Sequence, residues 1–200
     1  SDCLVGSEMC IRDSGNVSIE DVFIKPNILN NSIEVELELF NHNVKHLNEN
    51  VSFKIYNTDN KIVLQNSDSL LLQPGKNISK HSFIIPNAQR WSPSNPNLYN
   101  FSVEVNNKDA EIIRFGLREL TIKDNQFILN NKPIYIKAAF FEGLYPTKLA
   151  IPDSKEMAIK EITLAKEAGF NMIRPWRKPP PKMWLDLCDE LGMMVIGGMP

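Results

Sequence analysis

Cysteine is scarce in this chain: among 200 residues there are three, Cys3, Cys10 and Cys188. The number is odd and the spacing is not that of metal ligands, and no other ligand set is visible, so neither a metal nor a cofactor is expected. Cys188 falls on the apolar side of a predicted helix and reads as a small core residue rather than a nucleophile. There is no excess of one charge either, since 22 Lys and Arg stand against 24 Asp and Glu. Without a basic stripe interleaved with aromatics, nucleic acid is not an expected partner. No run is apolar for the length of a membrane span, so no membrane segment is expected. What is present, 42% hydrophobic and 23% charged residues, suits one or two globular domains and argues against disorder.

Residues 1–14, SDCLVGSEMCIRDS, contain no Asn, whereas the remainder is rich in Asn, Lys and Ile. They show neither helical nor strand periodicity. The run resembles a translated sequencing adapter, the alternative being a disordered leader. In both readings it stands outside the fold, and Cys3 and Cys10 with it.

From Asn16 to about Glu111 the pattern is one of short alternating strands broken by Asn, Asp, Pro and Gly. In Ser32–Phe40 the apolar Ile33, Val35, Leu37 and Leu39 alternate with Glu34, Glu36 and Glu38, which predicts one face in a core and one in water. Further strands are expected at Val51–Ile55, Leu70–Leu72, Lys80–Ile85 and Leu98–Val105. Turn formers such as Thr58-Asp59-Asn60 and Pro74-Gly75-Lys76 lie between them. This density of strands predicts an antiparallel β-sandwich of immunoglobulin-like type over 15–118. Ala110–Thr121 reads as one more strand leading out of it.

The period then changes. Asn130-Asn131 can take the positive φ values of a tight hairpin turn between Phe127–Leu129 and Pro133–Ile136. Asp153 is placed to cap a helix, with Glu156 completing a capping box, and Met157, Ile162, Ala165 and Ala168 form its apolar face up to Gly169. A short strand at Asn171–Arg174 follows. A second helix opens after Pro179-Pro180-Pro181, carries Met183, Trp184, Leu187, Cys188 and Leu191 inward, and stops at Gly192. A third strand covers Met193–Ile196. Strand, helix, strand, helix, strand is the rhythm of a parallel sheet. The fold class predicted is therefore multidomain β and α/β: an immunoglobulin-like β-sandwich followed, over 119–200, by the first strands and helices of a truncated (β/α)8 barrel.

Five segments carry a family resemblance. Trp91-Ser92-Pro93-Ser94-Asn95-Pro96-Asn97-Leu98-Tyr99 looks like the W-x-P-x-x-P-x-L-Y element of glycoside hydrolase family 2, which includes β-galactosidases, β-glucuronidases and β-mannosidases. Arg114-Phe115-Gly116-Leu117-Arg118 resembles that family's exit strand. Phe127-Ile128-Leu129-Asn130-Asn131-Lys132-Pro133-Ile134 resembles its F-x-L-N-G-K-P-I hairpin, with Asn131 in place of the usual Gly. Ala168–Arg174 and Leu185–Gly192 resemble its second barrel strand and helix. Read as residues alone, Trp91, Leu98 and Tyr99 are sandwich core and corner positions, the prolines shape an edge loop that cannot pair, and Gly116 permits close packing at the junction.

The resemblance implies a retaining glycosidase, which needs two carboxylates about 5 Å apart, one acid and one nucleophile. In the family these follow barrel strands four and seven, so both are expected beyond Pro200 and no catalytic residue is assigned in this chain. The same resemblance gives Arg174, at the end of strand two, the task of holding the nucleophilic carboxylate ionised and oriented; the alternative is a surface ion pair. Where the family continues with a Ser-His-Tyr-Pro type loop, this chain has Pro175-Trp176-Arg177-Lys178. Trp176 could stack on a sugar, and Arg177 with Lys178 could bind a carboxylate or sulfate. Barrel strand one ends in Ala138–Pro146, where Glu142 could line the site or pair with a neighbouring Arg, with Phe140, Phe141 and Tyr145 as an aromatic wall or as packing beneath the loop. The expected partner is a carbohydrate, with an anionic glycan as one open reading. The competing reading is a non-catalytic carbohydrate-binding or scaffold protein with a degenerate barrel.

Overall fold

The computed structural model describes residues 16–106, 109–149, 152–175 and 179–197; the leader 1–14 lies outside them. Two antiparallel sheets come first. One is built of β1 (Val17–Asn27), β2 (Ser32–Asn41) and β5 (Gly75–Ile84) in the order β1-β2-β5. The other joins β3 (Leu47–Tyr56), β4 (Ile62–Leu72), β8 (Tyr99–Val105) and β9 (Asp109–Phe115) in the order β4-β3-β8-β9. Between β5 and β8 lies a small ladder of β6 (Trp91–Ser92) and β7 (Asn95–Pro96). Three and four strands stacked in this way make an immunoglobulin-like sandwich.

The alternation in β2 decides which face goes inside. Ile33, Val35, Leu37 and Leu39 are buried and meet Val51, Phe53 and Ile55 of β3 and Phe101, Val103 and Val105 of β8 in one core. The intervening Glu36 and Glu38 reach Lys80 and Lys76 of the neighbouring β5 at 3.1 and 2.7 Å on the wet face. Burying a ring such as Phe53, with no exposed surface, stabilises the fold by roughly 1.5–3 kcal/mol. In β1 a bulge between Ile19 and Asp21 breaks the two-residue period, and Pro26 lies near the strand's end.

His81 of β5 faces this core opposite Val35. Its ring lies 4.6 Å from that of Phe53, and its Nδ1 is 3.8 Å from the Asp68 carboxylate. Burial holds its pKa below the ordinary histidine value, with Asp68 opposing the shift.

A three-stranded meander leads out of the sandwich: β10 (Leu120–Lys123), β11 (Gln126–Leu129) and β12 (Lys132–Pro133). Asn130 and Asn131 turn the second hairpin at φ 52° and 66°, and Asp124 and Asn125 turn the first at 50° and 59°, the left-handed pair that a two-residue turn requires. A parallel sheet follows, β13 (Ala138–Phe141), β14 (Met172–Pro175) and β15 (Met194–Val195), with α1 (Lys155–Glu167) and α2 (Lys182–Leu191) as its crossovers. This is a sandwich followed by the start of a βα barrel.

Five details depart from the sequence reading. The cap of α1 is Ser154, whose hydroxyl accepts from the Met157 amide at 3.1 Å, because Asp153 is engaged by the Thr147 hydroxyl. The fully buried residues of α1 are Ala158 and Ile162, with Ala168 exposed. The strand expected over Ala110–Thr121 breaks after Phe115, where Gly116 lies against an indole. That indole, Trp91, is not part of the sandwich core, and the prolines beside it do not prevent pairing: Trp91 pairs with Pro96, which needs no donor there.

Trp91 instead fills the junction. Only 1% exposed, it packs with Met172 and Met194, and Leu98, Ile134 and Ile136 close around them. Its Nε1 donates to the Asp189 carbonyl of α2 at 2.8 Å, and the Arg118 guanidinium lies 4.6 Å over its ring. Asn130 Nδ2 donates to its carbonyl at 2.8 Å. A Cβ at Gly116 would sit 3.0 Å from that of Trp91, and one at Gly192 would sit 2.5 Å from the Pro93 carbonyl oxygen. Arg114 adds ion pairs to Asp186, at 3.0 Å, and to Glu190.

Two outcomes follow from this packing. Trp91→Ala should cost the junction about 3–5 kcal/mol while sparing the sandwich core, so limited proteolysis should cut the helices and leave the sandwich intact; uniform loss of both would contradict a junction role. The lowered His81 pKa means that the unfolded chain takes up a proton first as pH falls through about 6.5. Stability should therefore decline from there until the folded pKa is passed. His81→Phe should flatten that decline in melting curves between pH 7.5 and 5, and parallel curves would rule the effect out.

Candidate functional site

Side chains alternate across each strand, so one assignment on β13 or β14 settles both faces. Phe141 stacks on Trp184 of α2, with centroids 5.6 Å apart and planes at 21°, and Ile173 packs into the same helix-side cluster. Ala138, Phe140, Met172 and Arg174 therefore share the opposite face. In register, Ala138 pairs with Met172 and Phe140 with Arg174, while Met172 pairs with Met194. This face has two layers. Ala138, Met172 and Met194 form the lower one, and the Trp91 cluster reaches its two methionines. Phe140 and Arg174 lie one layer higher, toward the C-terminal ends of the strands, where a barrel keeps its chemistry. Phe140 is 59% exposed, and Arg174 is exposed as well.

The sequence-derived site residues divide accordingly. Arg174 stands on the interior face near the C-terminal end of β14. Glu142 follows directly on β13 and is exposed, at the same rim of the neighbouring strand. Trp176, Arg177 and Lys178 lie outside the described residues. Among the described residues no cluster of three or more His, Cys, Asp or Glu is placed to hold a metal, and no helix is long and apolar enough to cross a membrane.

The three aromatics of strand one and its loop part company. Phe141 lies against Trp184, and Tyr145 is buried 6.5 Å from Phe141. The Tyr145 hydroxyl donates to Glu161 of α1 at 2.8 Å. Burial and the adjacent carboxylate push the phenol pKa up, and burial raises that of Glu161 as well, so the phenol stays protonated and pins the loop to the helix. Phe140 alone faces the rim. Sequence reasoning grouped these rings; strand parity, the signal that separates them, became usable only once the bounds of β13 were known.

The acidic residues of α2 serve the junction rather than the site. Asp186 and Glu190 pair with Arg114. Burial raises the pKa of Asp189, with Arg118 and Arg114 pulling it back down.

Comparison with known proteins agrees with this architecture. The model of the glycosyl hydrolases family 2 matches residues 17–118, and that of the family 2 TIM barrel domain matches residues 120–200. A β-galactosidase from Thermoanaerobacterium thermosulfurigenes is 31% identical over 196 residues, covering 90% of this chain and 27% of the relative. A family 2 glycosyl hydrolase structure from Bacteroides cellulosilyticus superposes with a TM-score of 0.83 at 24% identity, covering 92% of this chain and 26% of that one. A β-galacturonidase from Eisenbergiella tayi, bound to galacturonate, superposes with a TM-score of 0.72 at 25% identity, over 90% of this chain and 32% of that one. The chain thus spans between about a quarter and a third of the length of these relatives.

Proposed function

The chain belongs to glycosyl hydrolase family 2, and from that premise we propose that it is the sandwich and opening barrel portion of a retaining glycosidase. The boundary between the two units is placed between residues 118 and 119. The proton donor and the nucleophile of such an enzyme are two carboxylates about 5 Å apart, and both are assigned to segments other than this one. The portion by itself is accordingly expected to be inactive.

The observation that carries this reading is Arg174, exposed on the interior face near the C-terminal end of β14. A guanidinium there can grip a carboxylate through two parallel charge-assisted hydrogen bonds. That grip favours the ionised form, so the carboxylate stays a nucleophile at neutral pH, and it fixes which oxygen faces the anomeric carbon. Lysine supplies the charge without the planar fork. Glu142, at the adjacent rim, is assigned to substrate hydroxyls, which a carboxylate accepts well.

The substrate is proposed to be an anionic glycoside, a uronic acid being the simplest case. Arg177 and Lys178 follow Arg174 by three and four residues, and Trp176 supplies a ring for the sugar. The galacturonate bound by the Eisenbergiella tayi relative supports this assignment, while the β-galactosidase relative represents the neutral alternative. The scaffold reading keeps one observation in its favour, the departure of Pro175–Lys178 from the family's usual loop.

Full-length protein carrying this segment, assayed on neutral and uronic aryl β-glycosides, tests both steps. Arg174→Ala should lower kcat on the order of a hundredfold, and Arg174→Lys should restore only part of it; a folded wild-type protein with no activity would favour the scaffold. Arg177→Ala should lose about tenfold on uronic substrates and nothing on neutral ones. Equal effects on the two classes would remove the anionic assignment.

A further inference from the structure

We infer that Phe140 is a specificity-determining residue, its ring forming an apolar wall against the carbon face of the sugar bound beside Arg174. The inference rests on the glycosidase reading and adds to it a residue that the family motifs do not assign.

Three observations converge on this ring. Phe140 pairs in register with Arg174, so the two side chains stand next to each other on one face at one height. The layer beneath is filled by Trp91 packed on Met172 and Met194. Its neighbour Phe141 takes the helix side and stacks on Trp184, so alternation directs Phe140 to the face that a barrel turns inward. The chain therefore places a large apolar ring beside a guanidinium, at the end of the strands where ligands of a barrel bind.

The chemistry suits a pyranose. One face of such a ring is lined by C–H groups, and an aromatic ring laid against it buries apolar surface on both partners while leaving the hydroxyls at the edge free for polar partners such as Glu142. Excluding water from that side also strengthens the field of Arg174, because charge interactions are less screened in a drier site. An aliphatic residue of equal volume would fill the space without the flat surface.

The test uses the full-length protein with Phe140→Leu, Phe140→Ala and Phe140→Tyr, reading kcat, KM and melting temperature on aryl β-glycosides. The Leu and Ala variants should raise KM about five- to tenfold with kcat within about threefold and melting unchanged, and Tyr, which keeps the ring, should retain the wild-type KM. A KM that does not move in the Leu and Ala variants overturns the inference. So does a lowered melting temperature with reduced kcat and constant KM, which is the signature of core packing. An active wild type with indifferent Phe140 variants defeats this inference alone, whereas a folded but silent wild type defeats the glycosidase reading and this inference with it.

Discussion

The contact of Trp91 with the barrel strands is what the rest of the structure depends on. The residue belongs to the sandwich by sequence, yet its ring lies on Met172 and Met194 and its nitrogen is bound to the Asp189 carbonyl of α2. Its neighbours are fitted to it. Gly116 lacks a Cβ where one would press on the indole, and Gly192 lacks one where it would meet the Pro93 carbonyl. An interior of native density transmits such shape constraints directly. The orientation of β14 against the sandwich, and with it the direction in which Arg174 points, follows from this contact.

Parity within the strands does the remaining work. One ring, Phe141 on Trp184, fixes the helix side of β13, and alternation hands the opposite side to Phe140 and, across the register, to Arg174. Placing a charge on the interior side of a sheet is costly unless the layer is wet or the charge is paired. Met172 lies in the apolar lower layer and Arg174 one layer up, which keeps the charge at the end of the strand where a barrel opens.

Much of this was legible in the sequence. The Ile33-to-Leu39 alternation gave the inner face of β2, the Asn130-Asn131 pair gave its turn, and Gly169 and Gly192 marked both helix ends. Other features were not legible, for particular reasons. In α1 the expected Ile162 and Ala165 do face the core, but Ala158 joins them and Ala168 does not, and the cap is Ser154, with Asp153 bound by the Thr147 hydroxyl across the loop. Trp91 read as a core residue of the sandwich because burial is visible in a sequence but the partner is not. The strand end that carries Arg174 was legible from position and motif, whereas the distinct fates of Phe140, Phe141 and Tyr145 depended on strand bounds that no local signal supplied.

The bond between Trp91 and Asp189 also has a bearing on the order in which the chain assembles. It joins residues 98 apart, while the Asp124-Asn125 and Asn130-Asn131 turns close between adjacent strands. The entropy of closing a loop grows with its length, and contacts distant in sequence are won only after local ones have shortened the effective path. The hairpins and the sandwich can reach their form on their own contacts, whereas the indole finds its carbonyl only when α2 already exists. The rim that carries Arg174 is on this view the last part of the segment to acquire its geometry, and it inherits that geometry from a fold completed elsewhere.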